Sequence, residues 1–330
     1  MTAIWEPPNR GNPVFYLPNT DPPNAVPASH DLIAIWDSGP SDDSVGALAA
    51  ALYVLTLGVG ELIRLGQGHL EVFEKESAHD YVTNVDLGVE WLIREWFRRF
   101  RPNDRIVGEE GHRDSFTFDD VVWFIDPIDG TTNFIEGSPN VTVHIGSMYR
   151  GKPFISVVGL PIAQRAIVTF ENSVLGEQPI ELKSGGPLVI GTEYRTDGSP
   201  EYHTMHAIES RFSASTYRVK SIGMNGLGLL TGAADAFYKP KAKYWDVIAP
   251  LGLVAQLCPG QYKMSVTYIP ADGAVITTPL FGFDPSMVAY INTRHEANCR
   301  IGLVTVVPAG MPDLELAIIA EVTRCMSLSC

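Results

Sequence analysis

The carboxylates Asp126 and Asp129, separated by Pro127-Ile128 at the end of the run Val122-Trp123-Phe124-Ile125, are the residues of this chain best placed for chemistry. The four apolar residues read as a buried strand. Gly130-Thr131-Thr132 then reads as a turn into a helix, with hydroxyls and backbone N–H groups at its opening. Carboxylates this close repel one another unless a cation lies between them, and N–H groups at a helix start attract an anion. A hard metal ion with a phosphate group meets both demands. Asp-Pro-x-Asp-Gly is also good turn chemistry, so the motif alone leaves both readings open.

Further acids follow the same pattern of a short element ending in carboxylates. Glu109-Glu110 comes after Arg105-Ile106-Val107-Gly108, and Asp80 and Asp86 precede a helical segment. Trp245-Asp246 stands before the apolar stretch Val247 to Leu257. Taken singly, Glu109-Glu110 reads equally as a solvated turn, and Asp86 and Asp246 as helix N-caps.

In this order, Gly108-Glu109-Glu110, Asp126-Pro127-Ile128-Asp129-Gly130-Thr131-Thr132-Asn133-Phe134 and Trp245-Asp246 resemble the signatures of the inositol monophosphatase family. That family comprises lithium-sensitive, Mg²⁺-dependent sugar phosphatases, and Asp80-x-Val82-Thr83-x-x-Asp86 upstream also matches it. The resemblance spans about residues 45 to 275. It implies a layered α-β-α-β-α sandwich with the site between two halves, and hydrolysis of inositol 1-phosphate or a related small phosphate ester.

The resemblance also implies roles. Glu109, Asp126 and the Ile128 carbonyl would bind a first Mg²⁺, and Asp126, Asp129 and Asp246 a second, with two or three ions in all. Thr131 would place its hydroxyl at the first ion's water, with Asp86 behind it, and Glu109 would help take a proton from that water. The N–H groups of Gly130 and Thr131 would hold phosphate oxygens. Lys75 occupies a place where the family often carries a basic residue, although a solvated lysine at a helix end reads the same way. Such ions neutralise the ester and lower the pKa of a bound water.

The substrate side departs from the family. Where a ring-binding acid is common, seven residues before Asp246, this chain has Lys239, within Lys239-Pro240-Lys241-Ala242-Lys243. The small-residue stretch reads Gly223-Met224-Asn225-Gly226, and the segment from Glu171 to Leu182 looks shortened. Lysines beside the leaving group suit a second phosphate or sulfate, as in fructose 1,6-bisphosphate or 3′-phosphoadenosine 5′-phosphate; a solvated loop is the alternative. A regulatory relative without catalysis is a further alternative, disfavoured by the full set of acids.

The elements that must position these residues divide in two. Val45 to Arg64 reads as a buried helix after Asp42-Asp43-Ser44, too short in its uncharged part for a membrane span. Leu87 to Phe100 is amphipathic. Strands are expected at Val121–Ile125, Val141–Tyr149, Pro153–Leu160 and Arg165–Phe170, with a turn at Gly151-Lys152. Later come a strand at Leu188–Gly191, helices at Glu201–Phe212 and Met224–Thr231, a strand at Ala234–Tyr238, and a helix at Asp246–Leu257. An α+β half, residues 45–185, carrying the metal site, followed by an α/β half, residues 186–330, completing it, is the expected organisation. Eight prolines make residues 1–44 a poor helix and a poor strand, hence an extended arm.

With 330 residues, 45% of them hydrophobic, the chain can bury a large core. A net charge of −14 and the lack of a long basic run argue against nucleic-acid binding. Cys258, Cys299, Cys325 and Cys330 form no CxxC pair and suit free thiols in a reducing compartment. A cytoplasmic homodimer acting on a small phosphorylated substrate, without membrane contact, is expected.

Overall fold

The computed structural model describes residues 14–15, 26–27, 38–75, 80–176, 187–192, 199–268, 275–282, 285, 288 and 300–325. In the N-terminal arm, β1 (Val14–Phe15) and β2 (Val26–Pro27) pair antiparallel, a small departure from the expectation of no strand. Helix α1 (Val45–Gly66) starts at Ser44, whose hydroxyl accepts from Ala47 N–H. A hairpin of β3 (Val72–Glu74) and β4 (Tyr81–Thr83) leads into α2 (Asn84–Phe100). That helix begins in a capping box, with the Thr83 hydroxyl and the Asp86 carboxylate each capping the other's backbone N–H.

The first sheet has the order β10-β9-β8-β7-β6-β5. Its strands are β5 (Arg105–Gly108), β6 (Val121–Asp129), β7 (Thr142–Tyr149), β8 (Lys152–Leu160), β9 (Arg165–Phe170) and β10 (Ser173–Gly176), with a short helix α3 (Thr131–Ile135) after β6. Only β5 and β6 run parallel. The second sheet has the order β12-β11-β13-β16-β14-β15. It comprises β11 (Val189–Gly191), β12 (Ser215–Tyr217), β13 (Ala236–Lys243), β14 (Tyr262–Tyr268), β15 (Ile276–Pro279) and β16 (Arg300–Pro308). Its helices are α4 (Pro200–Phe212), α5 (Ile222–Thr231), α6 (Tyr244–Leu257) and α7 (Pro312–Cys325).

Strand alternation sorts the core into layers, because successive side chains leave a sheet on opposite faces. Trp123, Ile125, Val143, Ile145 and Val157 pack against Leu52, Val59, Val89 and Trp96 of α1 and α2. Val122, Phe124 and Val158 face the other way, onto Leu229 and Leu230 of α5 and Ile248 and Leu251 of α6, which also meet Phe237, Val304 and Val306 of the second sheet. On that sheet's far side Tyr238, Leu303 and Val307 pack on Ile208 of α4 and Leu314, Ile318 and Val322 of α7. The result is the α-β-α-β-α sandwich.

Several boundaries shift. The site strand β6 runs on through Asp129 instead of stopping at Ile125, and α6 starts at Tyr244, two residues before Asp246. The hairpin after β7 turns at Arg150-Gly151, both at positive φ, one residue earlier than expected. Helix α1 is long and apolar enough to cross a membrane, yet it carries Leu48, Leu52, Leu55, Val59 and Ile63 into the core. The expected boundary between the halves, at 185/186, lies outside the described residues, as do Cys299 and Cys330; Cys258 and Cys325 are free thiols.

Candidate active site

Strand β6 delivers Asp126 and Asp129 to the edge of the middle helix layer. Pairing with β7 is regular up to Asp126 opposite His144, breaks across Pro127-Ile128, and resumes at Asp129 opposite Thr142. Gly130, at φ +91°, turns the chain into α3 in the left-handed region that glycine occupies without cost. That helix has five residues, so it contributes a turn of N–H groups and no sustained dipole.

The remaining acids arrive from other elements. Glu109 follows β5, its N–H bonded to Ile125 O at 3.1 Å, which fixes it beside β6. Glu110 N–H donates to Glu90 Oε2 at 2.7 Å, and Arg94 pairs with Glu90 at 2.7 Å, so α2 anchors this turn. Asp246 sits in the first turn of α6 and accepts from Lys243 N–H at 3.1 Å. Asp86 and Asp246 therefore do cap helices while also facing the site. Asp86 Oδ1 lies 3.3 Å from the Thr131 hydroxyl, which is also 3.2 Å from the Ile128 carbonyl. One hydroxyl proton serves one of these acceptors at a time.

Lys75 ends the β3 side of the hairpin instead of a helix. Its ammonium meets Glu109 Oε1 at 3.0 Å and also Glu110. Lys243, the last residue of β13, reaches the same Glu109 oxygen at 3.5 Å. The segment around the lysines, for which a solvated loop was the alternative reading, is a strand with a bulge between Lys239 and Ala242. The bulge divides them. Lys239 and Lys243 are half-buried and act on Asp246, whereas Lys241 is exposed at positive φ.

Electrostatics follow from burial. Asp126 is raised well above the usual carboxylate range by desolvation, then by Glu109, Asp129, Asp246 and Asp86 around it. Burial lifts Asp86 to about 7 and Asp246 to about 6, the latter against the pull of Lys243 and Lys239. Burial and the neighbouring Glu109 lift Glu110 to about 8. Glu109 falls, because Lys75 and Lys243 outweigh its burial.

Sequence reading missed a polar network beneath the aspartates. Asp129 Oδ1 accepts from Ile222 N–H at 3.0 Å; its Oδ2 accepts from Thr142 Oγ1 at 2.8 Å, Ser221 Oγ at 2.5 Å and Gly223 N–H at 2.9 Å. Asp129 thus caps α5. His144, fully buried, lies 3.9 Å from Asp126 and 3.6 Å from Asp129. Its Nδ1 is 3.2 Å from the Trp245 carbonyl, which can only accept, so Nδ1 carries the proton. Burial holds this imidazole below its usual range. The available signal was a histidine inside the strand expected at Val141–Tyr149. Asn133 Nδ2 donates to the carbonyls of Asn140 and Val219 at 2.7 and 2.8 Å and ties α3 to the later half.

Among the described residues no three His, Cys, Asp or Glu side chains stand in metal-ligand geometry. The acids meet lysines and N–H donors instead. The donor chemistry nonetheless suits a hard cation: among the described residues Asp126 has one N–H donor, Ile128 at 3.1 Å, and its ionised form is opposed by four neighbouring acids. Glu109, Asp126, the Ile128 carbonyl and Asp246 are oxygen donors able to relieve that strain, with Asp129 contributing through Oδ1.

Residues 46–257 match the Inositol monophosphatase family. An inositol monophosphatase of Mesembryanthemum crystallinum is 31% identical over 212 residues, 60% of this chain and 78% of its own. A fructose-1,6-bisphosphatase/inositol-1-monophosphatase of Thermotoga maritima is 29% identical over 206 residues, 60% of this chain and 77% of its own. A solved IMPase/NADP phosphatase, complexed with Mg²⁺ and phosphate, has the same fold at a TM-score of 0.58 and 17% identity, covering 78% of this chain and 90% of its own. With the family's pattern extending over most of the folded chain, its acids gathered at one place and its layers reproduced, this chain belongs to the inositol monophosphatase family.

Proposed function

We propose that the chain is a Mg²⁺-dependent phosphomonoesterase acting on a small phosphate ester, with inositol 1-phosphate as its first-choice substrate. The observation that carries this reading is Asp126, buried among Glu109, Asp129, Asp246 and Asp86 with a single N–H donor among the described residues. Burying that many carboxylates together is costly unless a cation joins them. The relative solved with Mg²⁺ and phosphate supports the choice of ion.

Glu109, Asp126 and the Ile128 carbonyl would hold one ion, and Asp126, Asp129 Oδ1 and Asp246 a second. Bound there, Mg²⁺ supplies charge neutralisation of the ester and acidification of a water. The residues do the rest. Asp86 would orient the Thr131 hydroxyl toward the attacking water, and Glu109 would accept its proton, a role suited by a carboxylate that Lys75 helps keep ionised. The N–H groups of Gly130 and Thr131 would hold the phosphate oxygens, and Lys75 orients Glu109.

A second reading, a bisphosphate substrate, is favoured by Lys239 and Lys243 acting on Asp246, where an acid would meet a neutral polyol. The relative with fructose-1,6-bisphosphatase in its name supports it. The test is phosphate release, with and without Mg²⁺, from inositol 1-phosphate, fructose 1,6-bisphosphate, 3′-phosphoadenosine 5′-phosphate and histidinol phosphate. Failure of all four with Mg²⁺ present would overturn the enzymatic reading and leave a regulatory one.

A further inference from the structure

Glu109 Oε1 already faces two ammonium groups, and they are not equivalent. Lys75, at 3.0 Å, also serves Glu110 and is held by the hairpin that carries it. Lys243, at 3.5 Å, crosses from the second sheet and lies 5.2 Å over the Trp245 ring. Its contact with Glu109 is the looser one. Arg113 lies on Trp245 too, 4.7 Å from the ring centre, and its guanidinium is tied to the Gly108 and Glu109 carbonyls at 3.3 and 3.1 Å.

An ammonium has three donors and no lone pair, so Lys243 cannot be a ligand; it carries the same sign as the ion expected on Glu109. Two such charges on one carboxylate oxygen compete. We propose that Lys243 is a resident counter-cation of the metal site, neutralising Glu109 while the ion is away and displaced along the Trp245 face when it binds. The inference rests on the metal-dependent reading of the same site. It makes Lys243 a positioning residue that lowers metal affinity and preserves the site between loadings. Its aliphatic stem can remain on the indole while its head moves, because a cation is attracted anywhere over that face.

Calorimetric titration of Mg²⁺ into the metal-stripped full chain, with thermal melting in EDTA, tests this on Lys243→Met, Lys243→Arg and the exposed control Lys241→Met. Lys243→Met should bind Mg²⁺ about five- to tenfold more tightly than wild type, the scale of one partly exposed charge contact. Its melting temperature in EDTA should fall, while Lys243→Arg and Lys241→Met stay within about twofold of the wild-type Kd. If Lys243→Met does not fold without metal, Lys243→Gln carries the same comparison. Wild-type binding with an unchanged or weaker Kd in the neutral variant overturns the proposal and leaves the metal reading standing. Loss of Mg²⁺ binding in both chains overturns both.

Discussion

Asp126 and Asp129 lie three residues apart and are handled differently by their surroundings. Asp129 is anchored by four protein donors, so much of its charge is already compensated. Asp126 has one among the described residues, and its neighbours repel its ionised form. Asp126→Asn should therefore lower kcat by about 10³-fold or more, since metal activation supplies several kcal/mol of barrier lowering. Steady-state kinetics at saturating Mg²⁺ decide it; more than a tenth of wild-type turnover would remove Asp126 from the bridging role. On the substrate side, Lys239→Glu should move the ratio of kcat/KM for fructose 1,6-bisphosphate to that for inositol 1-phosphate by roughly 5- to 150-fold toward the inositol ester, the value of one placed charge contact. A ratio within about threefold of wild type would mean that Lys239 touches only solvent and protein.

At the scale of elements, α6 sets where Asp246 stands, and Gly146 of β7 sets where α6 stands. A Cβ on Gly146 would come within 2.6 Å of Ala249 N and 2.8 Å of Ala249 Cα, both backbone atoms of α6. Gly146→Ala must push the helix away, which should cost roughly 1–3 kcal/mol of stability by overpacking. Activity should fall with it, because Asp246 rides on that helix. Urea denaturation and kinetics on one preparation would separate the two, and full stability would show that α6 yields freely. The strands β6 to β9 were legible as apolar runs because both faces of the first sheet are buried in separate layers. The acids were legible because their types and order are unusual. Lys239-Pro240-Lys241 read as a loop, since nothing in one dimension reveals that β16 pairs with it across a bulge. The Asp129 cap was hidden as well, its donors at Ser221, Ile222 and Gly223 being some ninety residues away.

For the whole molecule, the raised acids make stability depend on pH. Asp86 and Asp246 shift from 3.8 to about 7 and about 6, Glu110 from 4.5 to about 8, and Asp126 also upward. Between those limits the folded, metal-free chain holds protons that the unfolded chain has released, so stability falls as pH rises. His144, held below 6.5 by burial, acts in the opposite sense as one group against four. Melting in EDTA should show a declining temperature from about pH 5 to about pH 8, and Mg²⁺ should restore most at the upper end, where the acids are ionised. A flat or rising profile would show that the carboxylates are relieved by other means. The long-range capping of Asp129 has a consequence in time. A growing chain that has emerged only as far as β10 already carries Glu109, Asp126 and Asp129, but none of the α5 donors that hold Asp129 and neither Lys243 nor Asp246. During synthesis the carboxylates precede their restraint, so completion of the cluster is a late event that waits for the middle helices to dock.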